Sequence, residues 1–354
     1  MSQPARHVKH AGHSDRGAWD AYVRKHAEGT LFHLFGWADV MRGAYGHATY
    51  FLMLVSGQRV LGVLPLVHLR HAIFGNGLVS LPFLDGGGIL ADDREAEESL
   101  LAEGIKLGQQ VGARYVELRH ERALESCSST GLPATTSSHK VRMLLRLPAS
   151  SAMLLKSFKS KLRSQVSKAL KEGFTTRVGG LELLEDFYRI FLVNMRDLGS
   201  PVHSVELMRC SLAAFPEHAR IIVVYRSTEP VAAALVIGFG SVLRNPWASS
   251  LRKYASLGPN MLLYLRILEH ACDSGYEVFD FGRSSPGEGT YRFKEQWGAV
   301  PQPLHWHYLS LDGRMPDPQD AGKARFETAM RCWQRLPVIV TRIIGPRIRK
   351  HISL

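Results

Sequence analysis

The chain has 354 residues, 45% of them apolar and 21% charged, with a formal charge of +12 and a pI of about 9.7. That composition excludes a disordered or fibrous chain, and the length leaves room for two domains of ordinary size. The excess of base predicts an anionic partner, whether phosphate, nucleic acid or a membrane surface.

The amino-terminal stretch MSQPARHVKHAGHSDRG contains no apolar h-region, so no secretory signal is expected in it. Two apolar strands, Thr49 to Val55 and Val60 to Leu69, are joined at Ser56–Gly57 as a hairpin. Short strands follow near Leu78 to Pro82 and Gly88 to Leu90. A helix over Arg94 to Val111 comes next, then strands over Tyr115 to Leu118 and Val141 to Leu147. A connecting helix is predicted over 151–172, started by Ser150 or Ser151 and ended by Gly173. Its apolar stripe is Leu155, Phe158, Leu162, Val166 and Ala169, and Lys156, Lys159 and Arg163 form a basic stripe suited to a row of phosphates. The second half repeats the order of the first. Strands at Ile221 to Tyr225 and Val231 to Phe239 flank the turn Ser227 to Pro230, and a polar strand lies near Trp247 to Ser250. A helix over Pro259 to Ser274 precedes strands at Tyr276 to Phe281 and Leu304 to Leu309. Matching elements stand roughly 160–170 residues apart, which implies an internal duplication into two similar α/β lobes. The expected division is a first lobe over 1–148, a second over 149–315, and a basic amphipathic tail over 316–354.

In that tail the run LPVIVTRIIGPRI from Leu336 to Ile348 is too broken by Arg342, Gly345, Pro346 and Arg347 to span a membrane. It either lies on an anionic membrane surface or packs as a closing helix on the core. Cys127, Cys210, Cys272 and Cys332 show no zinc or redox spacing, so reduced thiols in a cytoplasmic protein are expected. His305 and His307 would share one face of a strand without a third ligand, so no metal is expected. No phosphate-binding GxxxxGK[ST] and no GxSxG elbow is present. The stretch most suggestive of chemistry is FDFGRSSPGEGTYRFKEQWG, from Phe279 to Gly298. A buried strand there runs into a glycine-broken loop with cations just beyond, the place where α/β proteins put reacting groups.

The doubled order of hairpin, strand, helix and strands resembles two tandem GNAT-type (acyl-CoA N-acyltransferase) folds, each a mixed sheet flanked by helices. The doubled form is similar to the FemAB family, and within it to the FemAB-like proteins associated with exosortase/PEP-CTERM systems. Five stretches carry the likeness: LFHLFGWADVMRGAYGH, GVLPLVHLRHAIFGNGLVSLPF, MRDLGSPVHS, VFDFGRSSPGEGTYRFKEQWG and the carboxyl-terminal WQRLPVIVTRIIGP. The resemblance implies transfer of an aminoacyl group from tRNA to an amine of a cell-envelope or polysaccharide precursor. The family's Phe-Lys pair falls on Phe293 and Lys294, the lysine stabilising the oxyanion as the amine attacks. The family's basic residue after a tryptophan, which contacts substrate phosphate, falls on Arg42 after Trp37, a planar fork in place of the usual lysine point charge. Arg283, Ser284, Glu288, Tyr291 and His203 are further expected substrate contacts.

A GNAT site for coenzyme A uses an R/Q-x-x-G-x-G/A loop of free amides. The equivalent places read RKYASLGPNMLL from Arg252 and DGGGILADD from Asp85, neither of which supplies that pattern. No tightly bound cofactor is expected; the co-substrate is an activated acyl donor, aminoacyl-tRNA or acyl-CoA. The expected partners are an anionic or lipid-linked substrate, tRNA, and an anionic membrane surface met by the tail at the inner membrane. Two other readings stand beside the FemAB-type one. The first is an acyl-CoA-dependent acyltransferase of exopolysaccharide biosynthesis; the second, of another class, is a non-catalytic membrane-peripheral assembly or binding protein.

Overall fold

The computed structural model describes residues 4–314 and 323–353, so the first part of the expected tail, 316–322, lies outside the described residues. The first half of the chain runs β1 (Arg6–His10), α1 (Arg16–Lys25), α2 (Gly36–Tyr45), β2 (Ala48–Ser56), β3 (Arg59–His71), β4 (Gly75–Val79), β5 (Leu90–Ala91), α3 (Arg94–Gln110), β6 (Tyr115–His120), β7 (Ala134–Ser137) and β8 (Val141–Arg146). The second runs α4 (Ser151–Ser157), α5 (Ser160–Leu170), β9 (Phe174–Gly179), α6 (Leu184–Asp197), α7 (Val205–Ala214), β10 (Ala219–Arg226), β11 (Glu229–Phe239), β12 (Val242–Ser250), α8 (Pro259–Asp273), β13 (Val278–Ser284), α9 (Gly289–Gln296), β14 (Val300–Pro303), β15 (His305–Ser310), α10 (Lys323–Gln334) and α11 (Val338–Arg349).

Two compact units result. The first comprises Met1–Lys140, Pro303–Ala321 and Lys350–Leu354; the second comprises Val141–Gln302 and Gly322–Arg349. The first sheet has the order β1-β2-β3-β4-β6-β15-β7, with β5 on β3, and the second has β14-β8-β13-β12-β11-β10-β9. The expected division at 148/149 and 315/316 therefore differs from the structure at both seams. The last strand of each half is exchanged: β8 pairs with β13 in the second sheet, and β15 pairs with β6 and β7 in the first. Periodicity marks Val141 to Leu147 and Leu304 to Leu309 as strands, but a strand's partner is a long-range choice that its own pattern does not encode.

The connecting segment also differs from the single helix expected over 151–172. Phe158 and Lys159 are extended (ψ 148° and 150°), so α4 and α5 are separate helices. The break sends Phe158 into the core, edge-on to Trp297 at 5.3 Å. It also moves the inward position of α4 to Leu154, leaving Leu155 at the surface. Each unit buries one main apolar layer against its sheet. In the first, Leu100, Leu101 and Leu107 of α3 meet Leu52, Leu64 and Leu118. In the second, α5 and α8 cover Val224, Val236, Phe279 and Phe281.

The tail helix packs within the second unit. Thr341 and Gly345 face inward, and a Cβ added at Gly345 would stand 2.9 Å from Val202 Cγ1, so only glycine permits that approach. Among the described residues no helix is long and apolar enough to cross a membrane.

Candidate active site

In the second unit the parallel strands β12 and β13 pair only over Val242↔Val278, Leu243↔Phe279 and Arg244↔Asp280. Beyond that point β12 follows β11 and β13 follows β8, so the two strands part. A bulge begins the parting on β12, where the register with β11 shifts between Leu235 and Ile237. The Asn245 amide there donates to Leu235 O and Trp247 O, both at 3.0 Å, which satisfies the irregular backbone from within.

On β13 the parting is shaped by Asp280. This carboxylate is 3% exposed and accepts from Arg244 Nη1 at 2.6 Å, with Arg142 Nη1 at 3.9 Å. Its other oxygen accepts from Gly282 N at 2.8 Å. Gly282 has φ 74°, a left-handed conformation that a side chain would strain. The resulting kink accompanies the register shift against β8 between Asp280 and Arg283. The kinked backbone in turn binds Lys294. Its Nζ, delivered by the short helix α9, donates to Gly282 O at 3.0 Å and Arg283 O at 2.8 Å. Lys294 is only 8% exposed, so an aliphatic stem passes through the core and a fixed ammonium sits just beyond the last β12–β13 pair.

Of the other expected contacts, Arg283 and Ser284 lie on the strand segment that holds Lys294. Ser284 pairs with Val141 and its Oγ is buried without a hydrogen-bond partner. Glu288 is exposed at the start of α9. Phe293 lies edge-on to Tyr264 at 5.1 Å, and with Tyr291 it packs on the core, so both fix α9 in place. His203 is not part of this cluster. It is buried, its Nε2 accepts from Arg349 Nε at 3.0 Å, and burial followed by the Arg349 charge holds its pKa well below 6.5. In the first unit Trp37 is fully buried with its indole donating to Leu31 O at 2.9 Å. Arg42 is exposed and donates to Thr49 Oγ1 at 2.7 Å. Sequence reasoning missed Arg244, Asp280 and Arg142. The one available signal was Asp280 itself, a lone acid between Phe279 and Phe281 in an otherwise apolar strand.

The amino terminus of α8 lies beside the parting strands in sequence, and Gly258, its cap, has φ 73° with no side-chain capping bond. Pro259 contributes no amide. The N–H groups of Gly258, Met261 and Leu262 donate to Ala255 O, Gly258 O and Gly258 O, so three are engaged internally. Lys168 of α5 reaches the same loop, its Nζ donating to Ser256 O at 3.3 Å. Among the described residues no group of three or more His, Cys, Asp or Glu could hold a metal ion.

Two mixed sheets, each with one pair of parallel strands, have known counterparts. Residues 156–295 match the model of the acetyltransferase (GNAT) domain. FemX superposes with a TM-score of 0.68 at 15% identity, over 86% of this chain and 98% of FemX. The fold is that of a tandem GNAT protein. A tandem GNAT protein from the clavulanic acid biosynthesis pathway aligns at a TM-score of 0.54 and 12% identity, over 88% of this chain and 100% of its own. L-PGS from Bacillus licheniformis aligns at 0.51 and 13%, over 78% and 87%. No curated protein sequence matches the chain. The tandem GNAT fold places Lys294 in the second GNAT unit, inside the matched segment.

Proposed function

We propose that this chain is an N-acyltransferase of FemAB type, moving an acyl group from an activated donor to an amine of a cell-envelope or polysaccharide precursor. The observation that carries the reading is the ammonium of Lys294, fixed by two carbonyls at the end of the parted strands. When an amine attacks an acyl carbonyl, negative charge gathers on the carbonyl oxygen, and a preorganised cation stabilises that charge without reorganising. The Arg244–Asp280–Gly282 chain of contacts sets the backbone that holds this cation in position.

The match to a GNAT acetyltransferase domain supports acyl-CoA as the donor. Pro259 at the start of α8 removes one amide from any pyrophosphate cradle there, and the FemAB resemblance implies aminoacyl-tRNA as the alternative donor. The exposed bases Lys156, Lys159 and Arg163 suit the phosphates of such a donor. The resemblance assigns the exposed Arg42 of the first unit to an anionic group of the acceptor, and it suggests a PEP-CTERM-linked exopolysaccharide precursor as the acceptor class.

The test supplies the purified protein with aminoacyl-tRNA or acyl-CoA and a cell-envelope extract, and reads the acceptor by mass spectrometry. A defined acyl increment is expected with wild type and not with Lys294→Met. Calorimetry with coenzyme A separates the donors: tight binding would favour acyl-CoA. Turnover by Lys294→Met equal to wild type would remove the assignment of the site.

A further inference from the structure

The outer face of α11 is not explained by packing. Thr341 is 1% exposed and Gly345 sits against Val202, which fixes the inward side of the helix. Arg349 belongs to that side as well, donating to His203. At about 100° per residue, the opposite side carries Ile339 and Ile343. These are 61% and 54% exposed, among the most exposed large apolar residues of the protein. Arg342 flanks the isoleucine pair on one side and Arg347 on the other, both exposed, and exposed Arg335 precedes the helix. From Thr328 to Leu354 the sequence holds no Asp or Glu.

We infer that this face of α11 docks the protein on an anionic lipid bilayer. Two exposed isoleucines enter the interface between head groups and acyl chains, and the flanking arginines meet lipid phosphates on either side. Charge decides among the possible occupants. A second copy meeting this face about a two-fold axis would bring a surface whose flanking charges are all arginine against the same surface, a like-charge contact. A nucleic acid would use the arginines but leave the isoleucines in water. An anionic bilayer satisfies both parts. With only two apolar side chains inserted, binding is reversible and depends on salt and on anionic lipid. The inference does not rest on the acyltransferase reading.

Cosedimentation of the full chain tests it, with vesicles of phosphatidylcholine alone and vesicles that also contain phosphatidylglycerol. Wild type is expected in the pellet only with phosphatidylglycerol, and to be released by raised salt. Ile339→Glu/Ile343→Glu should weaken binding at least tenfold while leaving the thermal melt unchanged, because both side chains point away from the fold. Arg342→Gln/Arg347→Gln should weaken binding while keeping both isoleucines, which guards against a folding defect in the first variant. Equal sedimentation of wild type and both variants, or no sedimentation of wild type, would overturn the inference. So would a concentration-dependent dimer that the glutamate variant abolishes, which would assign the face to a second copy.

Discussion

The two units share a fold but finish the same feature in opposite ways. In the first, parallel strands β4 and β6 pair over Gly77↔Tyr115 to Val79↔Glu117. Where they would part, the protein fills the gap with Arg119. This guanidinium is 0% exposed, donates to Glu117 at 2.7 Å and to the carbonyls of Leu84 and Ser353, and lies 4.2 Å over the Trp306 ring. Ser80 Oγ closes the strands further by accepting from Arg119 N at 2.8 Å. In the second unit the corresponding strands part beside the kink at Gly282, and the cation fixed there is Lys294. The first unit thus anchors its cation from within the sheet, on β6, whereas the second brings its cation in from a separate helix, α9, onto a kinked strand.

The largest effect that could break this comparison is on stability. Arg119→Met should destabilise the first unit by about 3–5 kcal/mol, because it leaves Glu117 buried without its partner. Urea denaturation reads the loss, and Glu117→Gln in the same background should recover part of it. Turnover per folded molecule should not change; a catalytic defect beyond the unfolded fraction would place chemistry in the first unit too. In the second unit the expectation reverses. Lys294→Met should lower turnover about 100- to 1000-fold, equivalent to about 2.7–4 kcal/mol of lost transition-state stabilisation, with only a modest fall in melting temperature. A single-turnover assay with saturating donor reports it.

The comparison also shows what the sequence carried. The hairpins β2–β3 and β10–β11 and the helices α3 and α8 were legible, because turn residues and a steady apolar period are local signals. The exchange of β8 and β15 was not, since Val141 to Leu147 reads the same whichever sheet receives it. The break between α4 and α5 was hidden by an apolar stripe that continues across Phe158. At the site, the loop around Lys294 stood out through its glycines and the family likeness. Arg142, Arg244 and Asp280 did not, because charges distant in the chain are brought together only by strand pairing. The rings of Phe293 and Tyr291, expected as substrate contacts, pack on the core and hold α9 there.

Acid should act on the two units unequally. In the first, burial holds His47 and His307 down to about 4 and His120 well below its usual value. In the second, His203 is held well below and His270 is lowered, again chiefly by burial. An unfolded histidine takes up its proton near pH 6.5, while folded His47 and His307 stay neutral to about pH 4 and burial holds the other three below their unfolded value. Stability is therefore complete above about pH 6.5 and falls as the pH drops toward 4, because the unfolded chain binds protons that the folded chain refuses. Hydrogen exchange read peptide by peptide, near neutral pH and at about pH 5.5, should show first-unit peptides losing more protection. Equal loss in both units would mean that new ion pairs, formed as the first unit takes up protons, offset the cost of its buried histidines.

The smallest expected effect concerns the two matching helices, α3 and α8. The start of α3 is closed by its own carboxylate: Asp93 Oδ1 accepts from Ala96 N at 2.8 Å and pairs with Arg6 at 2.9 Å. That negative charge already answers the helix dipole, so an anionic donor gains little there. The start of α8 has Gly258 as its cap and no carboxylate of its own. Asp93→Ala should lower stability by about 1 kcal/mol through loss of the cap, seen as a small fall in melting temperature. Donor KM and turnover should stay at wild-type values, because the start of α3 is already occupied by its own carboxylate. If KM moved while the melting temperature did not, the start of α3 would be part of the donor site, and the division of roles between the units would have to be redrawn around it.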